Sequence, residues 1–304
     1  MKLFFTILFV ISTISVKAQE RYIDDIFEFQ EPVTKTYTSK DGEDLKLDLY
    51  QPVKDNLEKR PLIVFMHGGG FSGGTRKSES EVKFAQAAAA KGYVAVSISY
   101  RLTRKGKSFN CDFAADGKIE TFKMAAEDFL DAVKFLIDNK EEFGIDPSKI
   151  IVGGSSAGAE AVLNAVYNKS LLFEETEYKD IKFAGVFSLA GALLDARYIT
   201  RENAVPAIFF HGTQDKVVPY VTAPHHYCDK SKPGYLILDG SKTIAEKLKE
   251  LDVSYALYSV EGGGHGVSRM PFEDLPEVFE FFKRMFLEES EIQVNFVKQL
   301  NEQK

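Results

Sequence analysis

The sequence predicts an α/β protein built on a mostly parallel, doubly wound sheet. Two observations carry that reading. Short, near-continuous apolar runs of strand character recur along the chain, as expected of strands covered on both faces. Segments with helical periodicity lie between them, the alternation that produces parallel βαβ units. A third feature, the absence of any internal repeat, low-complexity tract or Pro/Ser-rich linker after Gln19, makes the body one piece.

The first 18 residues stand apart. Met1 and Lys2 give a basic start, Leu3 to Val16 is almost uninterruptedly apolar, and Val16-Lys17-Ala18 supplies small residues at a cleavage point. That is the layout of a secretory signal peptide. It is short of the ~20 apolar residues of a comfortable membrane span, and no Cys follows the cut to accept a lipid. The expected organisation is a signal peptide over 1–18 and a single domain over 19–304, with the mature chain exported to the periplasm or beyond and not stably inserted in a membrane.

The elements follow in order. Val33 to Ser39 and Leu45 to Tyr50 alternate apolar and polar residues around Asp41-Gly42, a hairpin signal. The apolar runs are Leu62–Met66, Val94–Ser99, Ile150–Val152, Phe183–Leu189, Ala207–Phe210 and Tyr255–Val260, which with the hairpin make an eight-stranded sheet. Helices are expected over Glu79 to Lys91, from Phe122 through Ala126, Phe129, Val133 and Leu136 to a stop at Gly144, and over Ala157 to Tyr167, Thr243 to Leu251 and Pro276 to Leu287. A TIM barrel would alternate similarly, so periodicity alone does not choose between the two.

Composition narrows the partners. With 38 Lys+Arg against 45 Asp+Glu the net charge is −7, and losing Lys2 and Lys17 with the leader makes the remainder more acidic. Basic residues are scattered singly among acids, which argues against a nucleic acid partner. Export makes the two cysteines, Cys111 and Cys228, candidates for a disulfide in an oxidising compartment.

Gly154-Ser155-Ser156-Ala157-Gly158 is a G-x-S-x-G pentapeptide between a strand and a helix. The bare pattern arises by chance in roughly one chain in ten of this length, so the strand-turn-helix context carries the weight. In so sharp a turn, glycine is the easiest occupant two residues either side of the nucleophile, and Ser156 projects its hydroxyl clear of the sheet. A serine needs a base, and the base needs an orienting group. Of five histidines, His265, in a glycine-rich loop after the Tyr255–Val260 strand, is best placed to approach Ser156. Asp215, a few residues past the strand Ala207–Phe210, is the expected carboxylate. The order Ser156, Asp215, His265 is that of the α/β-hydrolase fold. His67-Gly68-Gly69-Gly70 follows a strand, and the N–H groups of Gly69 and Gly70, with that of Ala157, are expected to form an oxyanion hole. No G-K-[ST] follows, which argues against a phosphate loop.

On these motifs the chain resembles the α/β-hydrolase esterases of the hormone-sensitive-lipase and feruloyl-esterase-like kind. The resemblance rests on His67-Gly-Gly-Gly-Phe71, Ser99-Tyr100-Arg101-Leu102, Gly154-x-Ser156-x-Gly158, His211-Gly-Thr-Gln-Asp215 and His265-Gly266, and spans about Val33 to Leu287. It implies a carboxylic ester hydrolase without cofactor or metal but is not specific for substrate, and the leading reading is a secreted serine carboxylesterase acting on small acyl esters or ester-decorated polysaccharide fragments. A serine peptidase or amidase on the same scaffold, and a non-catalytic binding protein, are the alternatives.

Two polar stretches, Thr103 to Lys118 and Thr222 to Pro233, match no motif. Both are expected to border the active-site mouth, and a Cys111–Cys228 bridge would join them. His225 and His226 in the second are expected to be solvated, with side chains pointing apart and no metal between them.

Overall fold

A computed structural model describes residues 19–173 and 178–300. The expected leader lies outside the described residues. Nine strands form one sheet in the order β1-β2-β4-β3-β5-β6-β8-β11-β12. β1 (Val33–Lys40) and β2 (Glu43–Tyr50) are an antiparallel hairpin whose turn, Asp41-Gly42, takes the positive φ values (52° and 80°) that a tight primed turn requires. β2 pairs antiparallel with β4 (Val94–Ile98); every later pairing is parallel, through β3 (Arg60–Met66), β5 (Ile145–Ser155), β6 (Gly185–Leu189), β8 (Ala207–Gly212) and β11 (Tyr255–Glu261). A second, three-stranded sheet is formed by β7 (Ala192–Leu193), β10 (Ile237–Gly240) and β9 (Ala223–Pro224).

Helices cover both faces. α1 (Glu79–Ala90), α7 (Leu275–Phe281) and the π-helical segment that continues α7 (Phe282–Leu287) pack on one face, with Phe84, Phe279 and Phe282 against Phe65 and Phe187. α2 (Ala115–Asp138), α4 (Ala157–Tyr167) and α6 (Ser241–Glu250) cover the other, burying Phe122, Phe129, Leu163 and Leu248 against Val64, Val152 and Val186. The central strands are apolar on both sides because both sides are covered.

Four readings need correction. The sheet has nine strands, not eight: β12 (Gln293–Gln299) adds an edge parallel to β11, with alternate residues exposed and Phe296 stacked on Tyr258 at 4.5 Å. Gly144 does not stop the long helix. α2 ends at Asp138, and Gly144, at φ 60°, terminates a separate short turn, α3 (Lys140–Phe143). The Thr103–Lys118 stretch is not polar loop throughout, for α2 already begins at Ala115. Lys118 on its first turn is fully buried, donating from Nζ to the Gly234 carbonyl at 2.9 Å. His225 is likewise buried, and its ring centroid lies 4.3 Å from that of His226, so the two side chains pack together. A short helical turn, α5 (Lys169–Leu172), follows α4.

Candidate active site

The strand order brings the chain ends of β5, β8 and β11 to one edge, and each delivers one group. Ser156 sits between β5 and α4 at φ 50°, ψ −122°, a region costly for a non-glycine residue and typical of a strained functional turn. The flanking glycines have a steric reason. A Cβ on Gly154 would lie 2.4 Å from the carbonyl carbon of Gly158, and one on Gly158 would lie 2.2 Å from the Met66 carbonyl oxygen. Backbone packs on backbone there, so neither position admits a side chain.

The structure brings Ser156, His265 and Asp215 into one line. His265 Nε2 is 2.8 Å from Ser156 Oγ, and His265 Nδ1 is 2.7 Å from Asp215 Oδ2. Asp215 accepts only, so Nδ1 carries the proton and Nε2 is left to accept from the serine hydroxyl. Asp215 is completely buried, and its Oδ1 accepts from the N–H groups of Val217 (2.8 Å) and Val218 (3.1 Å). Burial pushes its carboxyl up, but the imidazoles of His211 and His265 outweigh burial and hold it well below the usual carboxylate range. It stays ionised beside the His265 imidazole.

Gly69 and Gly70, at φ 121° and 61°, line the same cavity as Ser156 and His265, about 530 Å³ in volume. Their N–H groups donate to no backbone carbonyl among the described residues, so they are free for a ligand oxygen. Ala157 opens α4, where the first N–H groups of a helix have no internal partner. Tyr100, from the Ser99-Tyr-Arg-Leu segment, donates to the His67 carbonyl at 3.1 Å and anchors the glycine loop from behind. Ser155, the other serine of the pentapeptide, is occupied: its hydroxyl donates to the Ser268 carbonyl at 2.7 Å.

Cys111 and Cys228 form a disulfide, with Cα atoms 5.3 Å apart. It joins the loop ahead of α2 to the turn that carries His225. Among the described residues no group of three or more His, Cys, Asp or Glu could hold a metal ion, and no helix is long and apolar enough to cross a membrane.

Sequence reasoning missed a buried acid next to this site. Glu160, one helical turn after Ser156, has a carboxyl oxygen 3.3 Å from His225 Nε2, and both residues are buried. Burial pushes Glu160 up to about 8, against a smaller opposing pull from His265, and burial pushes His225 down to about 3. At neutral pH the pair is therefore a neutral acid beside a neutral imidazole. Glu160 follows the pentapeptide closely in sequence, but its environment is legible only once His225 and the Lys118 charge are seen beside it.

The pair makes stability pH-dependent at both ends. Between the usual glutamate value of 4.5 and about 8, the unfolded chain binds fewer protons at this position than the folded one, so stability falls as pH rises through that window. Glu160→Gln, neutral in both states, should flatten that alkaline decline by a few kcal/mol near pH 8, in order of magnitude. Burial of neutral His225 acts oppositely, removing stability as pH drops from 6.5 toward about 3. Thermal melts of both proteins from pH 4 to 9 check this. Parallel alkaline slopes would contradict it.

A mostly parallel sheet with a serine at positive φ after β5, a histidine after β11 and an acid after β8 is the arrangement of the α/β-hydrolase fold. Residues 47–193 match the BD-FAE family model. Among curated proteins it is similar to gut esterase 1 of Caenorhabditis elegans, 34% identical over 127 residues, or 41% of this chain and 21% of that one. Arylacetamide deacetylase-like 2 of Homo sapiens is 25% identical over 249 residues, 76% of this chain and 59% of that one. Carboxylesterase NlhH of Mycobacterium tuberculosis is 33% identical over 117 residues, 38% of this chain and 31% of that one. The chain thus spans between about a fifth and three fifths of the length of these relatives. The fold is shared with Thermogutta terrifontis esterase 2 phosphoramylated by tabun, at TM-score 0.62 and 22% identity over 87% of this chain and 97% of that one.

Proposed function

We propose that the protein is a secreted serine carboxylesterase working through an acyl-enzyme on Ser156. The observation that carries the reading is the Ser156–His265–Asp215 hydrogen-bond chain opening into a cavity that Gly69 and Gly70 also line. His265 Nε2 takes the hydroxyl proton as Ser156 Oγ attacks the ester carbonyl, while Asp215 stabilises the imidazolium and holds its tautomer. The carbonyl oxygen, now negative, moves toward the donors of Gly69, Gly70 and Ala157. His265 then passes its proton to the leaving alcohol, and a water activated by the same histidine releases the acid. The esterase relatives, and the tabun- and paraoxon-modified forms of Thermogutta terrifontis esterase 2 among the structural neighbours, support this chemistry.

The substrates in view are small acyl esters, ester-decorated polysaccharide fragments among them. Secretion is supported by the leader pattern and by a disulfide, which persists in oxidising compartments. Turnover of p-nitrophenyl esters in preference to peptide anilides is the expected result, and efficient anilide cleavage with inert esters would move the protein to the peptidase reading. Because the base must be neutral, kcat/KM should rise with pH through one ionisation and then level off. A profile that falls across neutral pH would contradict a histidine base.

A further inference from the structure

Resting on the esterase reading, we propose that Glu81 is a specificity-determining residue that selects esters carrying a positively charged group. α1 begins with Ser78-Glu79-Ser80-Glu81, the spacing of a reciprocal capping box, in which the glutamate would turn back to the Ser78 N–H. It does not do so here. Ser78 N donates instead to the Thr75 carbonyl at 3.1 Å, and the Ser78 side chain makes no cap. The Glu81 carboxylate accepts from the Ser80 hydroxyl, 2.6 Å from Oε2, while the nearby cations are engaged elsewhere, Arg76 with Asp48 and Lys83 with Glu79, and Glu81 forms no ion pair among the described residues.

What Glu81 faces is the substrate space. It lines the cavity of about 530 Å³ that holds Ser156 and His265, and also an adjoining one of about 410 Å³; Ser155 and Ser268 are shared walls. Glu81 itself is 7% exposed, so water cannot solvate the carboxylate fully, and a buried charge without a counter-charge is costly. The adjoining chamber adds the rings of Phe65 and Phe272 and the thioether of Met270, surfaces that suit an alkylammonium. Arg269 lines that chamber too, but its side chain is exposed to water, which screens its charge. A cation on the substrate supplies what the fold omits, and places itself one chamber away from the scissile carbonyl.

The test compares isosteric pairs. Acetylthiocholine against 3,3-dimethylbutyl thioacetate puts the cation on the alcohol arm, and the p-nitrophenyl esters of 4-(trimethylammonio)butyrate and 5,5-dimethylhexanoate put it on the acyl arm. For at least one pair the wild-type protein should prefer the cationic member by about tenfold in kcat/KM, mostly through KM, with the ratio narrowing in 0.5 M salt. Glu81→Gln should bring the ratio near unity, and Glu81→Asp should retain part of it. Equal use of both members of both pairs by the wild type, or a preference that survives in Glu81→Gln, overturns the proposal. Wild-type turnover of any of the four esters keeps the esterase reading standing either way, and complete inertness of all four would count against that reading instead.

Discussion

Ser156→Ala is expected to fold as the wild type and to lose about 10⁴–10⁶ in kcat, since nucleophile, base and orienting acid act as a unit. The size of the effect follows from the geometry. Ser156 Oγ is the hydroxyl within 2.8 Å of His265 Nε2, and its strained backbone spends stability to hold it there. The neighbouring Ser155 is the control. Its hydroxyl points away, to the Ser268 carbonyl, so Ser155→Ala should cost far less in rate, acting only through the loop that carries His265. Kinetics on p-nitrophenyl acetate with both variants decides the matter, and an active Ser156→Ala beside a dead Ser155→Ala would contradict the assignment.

The second large effect is on stability. Replacing Cys111 and Cys228 together by Ala frees a loop of 117 residues in the unfolded chain, for which loop-closure entropy gives about 5 kcal/mol, an upper figure where the unfolded state keeps residual structure. The consequences should be local in the folded state as well. Cys228 directly follows His226 and Tyr227, both in the left-handed region at φ 56° and 51°, and this turn also carries His225 against Glu160. Without the bridge, the turn can relax and the pair can separate. Urea melts of the double variant should show a midpoint well below that of the oxidised wild type, with reductant lowering the wild type toward it. Coincident melts would contradict a stabilising bridge.

Much of the fold was legible because central strands and two-face coverage leave a plain apolar signature, as at Leu62–Met66 and Tyr255–Val260. The groups of the candidate site were legible for a related reason: glycines that must be glycines surround them. Gly154 and Gly158 are dictated by backbone contact, which makes the pentapeptide visible in the sequence. What stayed hidden depends on tertiary context. β12 is an edge strand, so half its residues face water and Gln293-Val-Asn-Phe-Val-Lys-Gln shows only a weak alternation set among acids. Lys118 and His225 look solvated in polar stretches, yet the disulfide and α2 fold those stretches inward. Glu160 has the sequence of a surface helix residue, and only the packing of His225 over α4 buries it. Glu81 matches a capping signal that the chain does not use.

Labelling with a fluorophosphonate followed by peptide mapping tests the central claim most directly. The reagent needs an activated serine beside an oxyanion hole, the two features we propose for Ser156 with His265 and for Gly69 with Gly70. One adduct per chain on Ser156 is the expected result, lost in Ser156→Ala and strongly slowed in His265→Ala. An adduct on Ser155, or none on a folded protein, would contradict it.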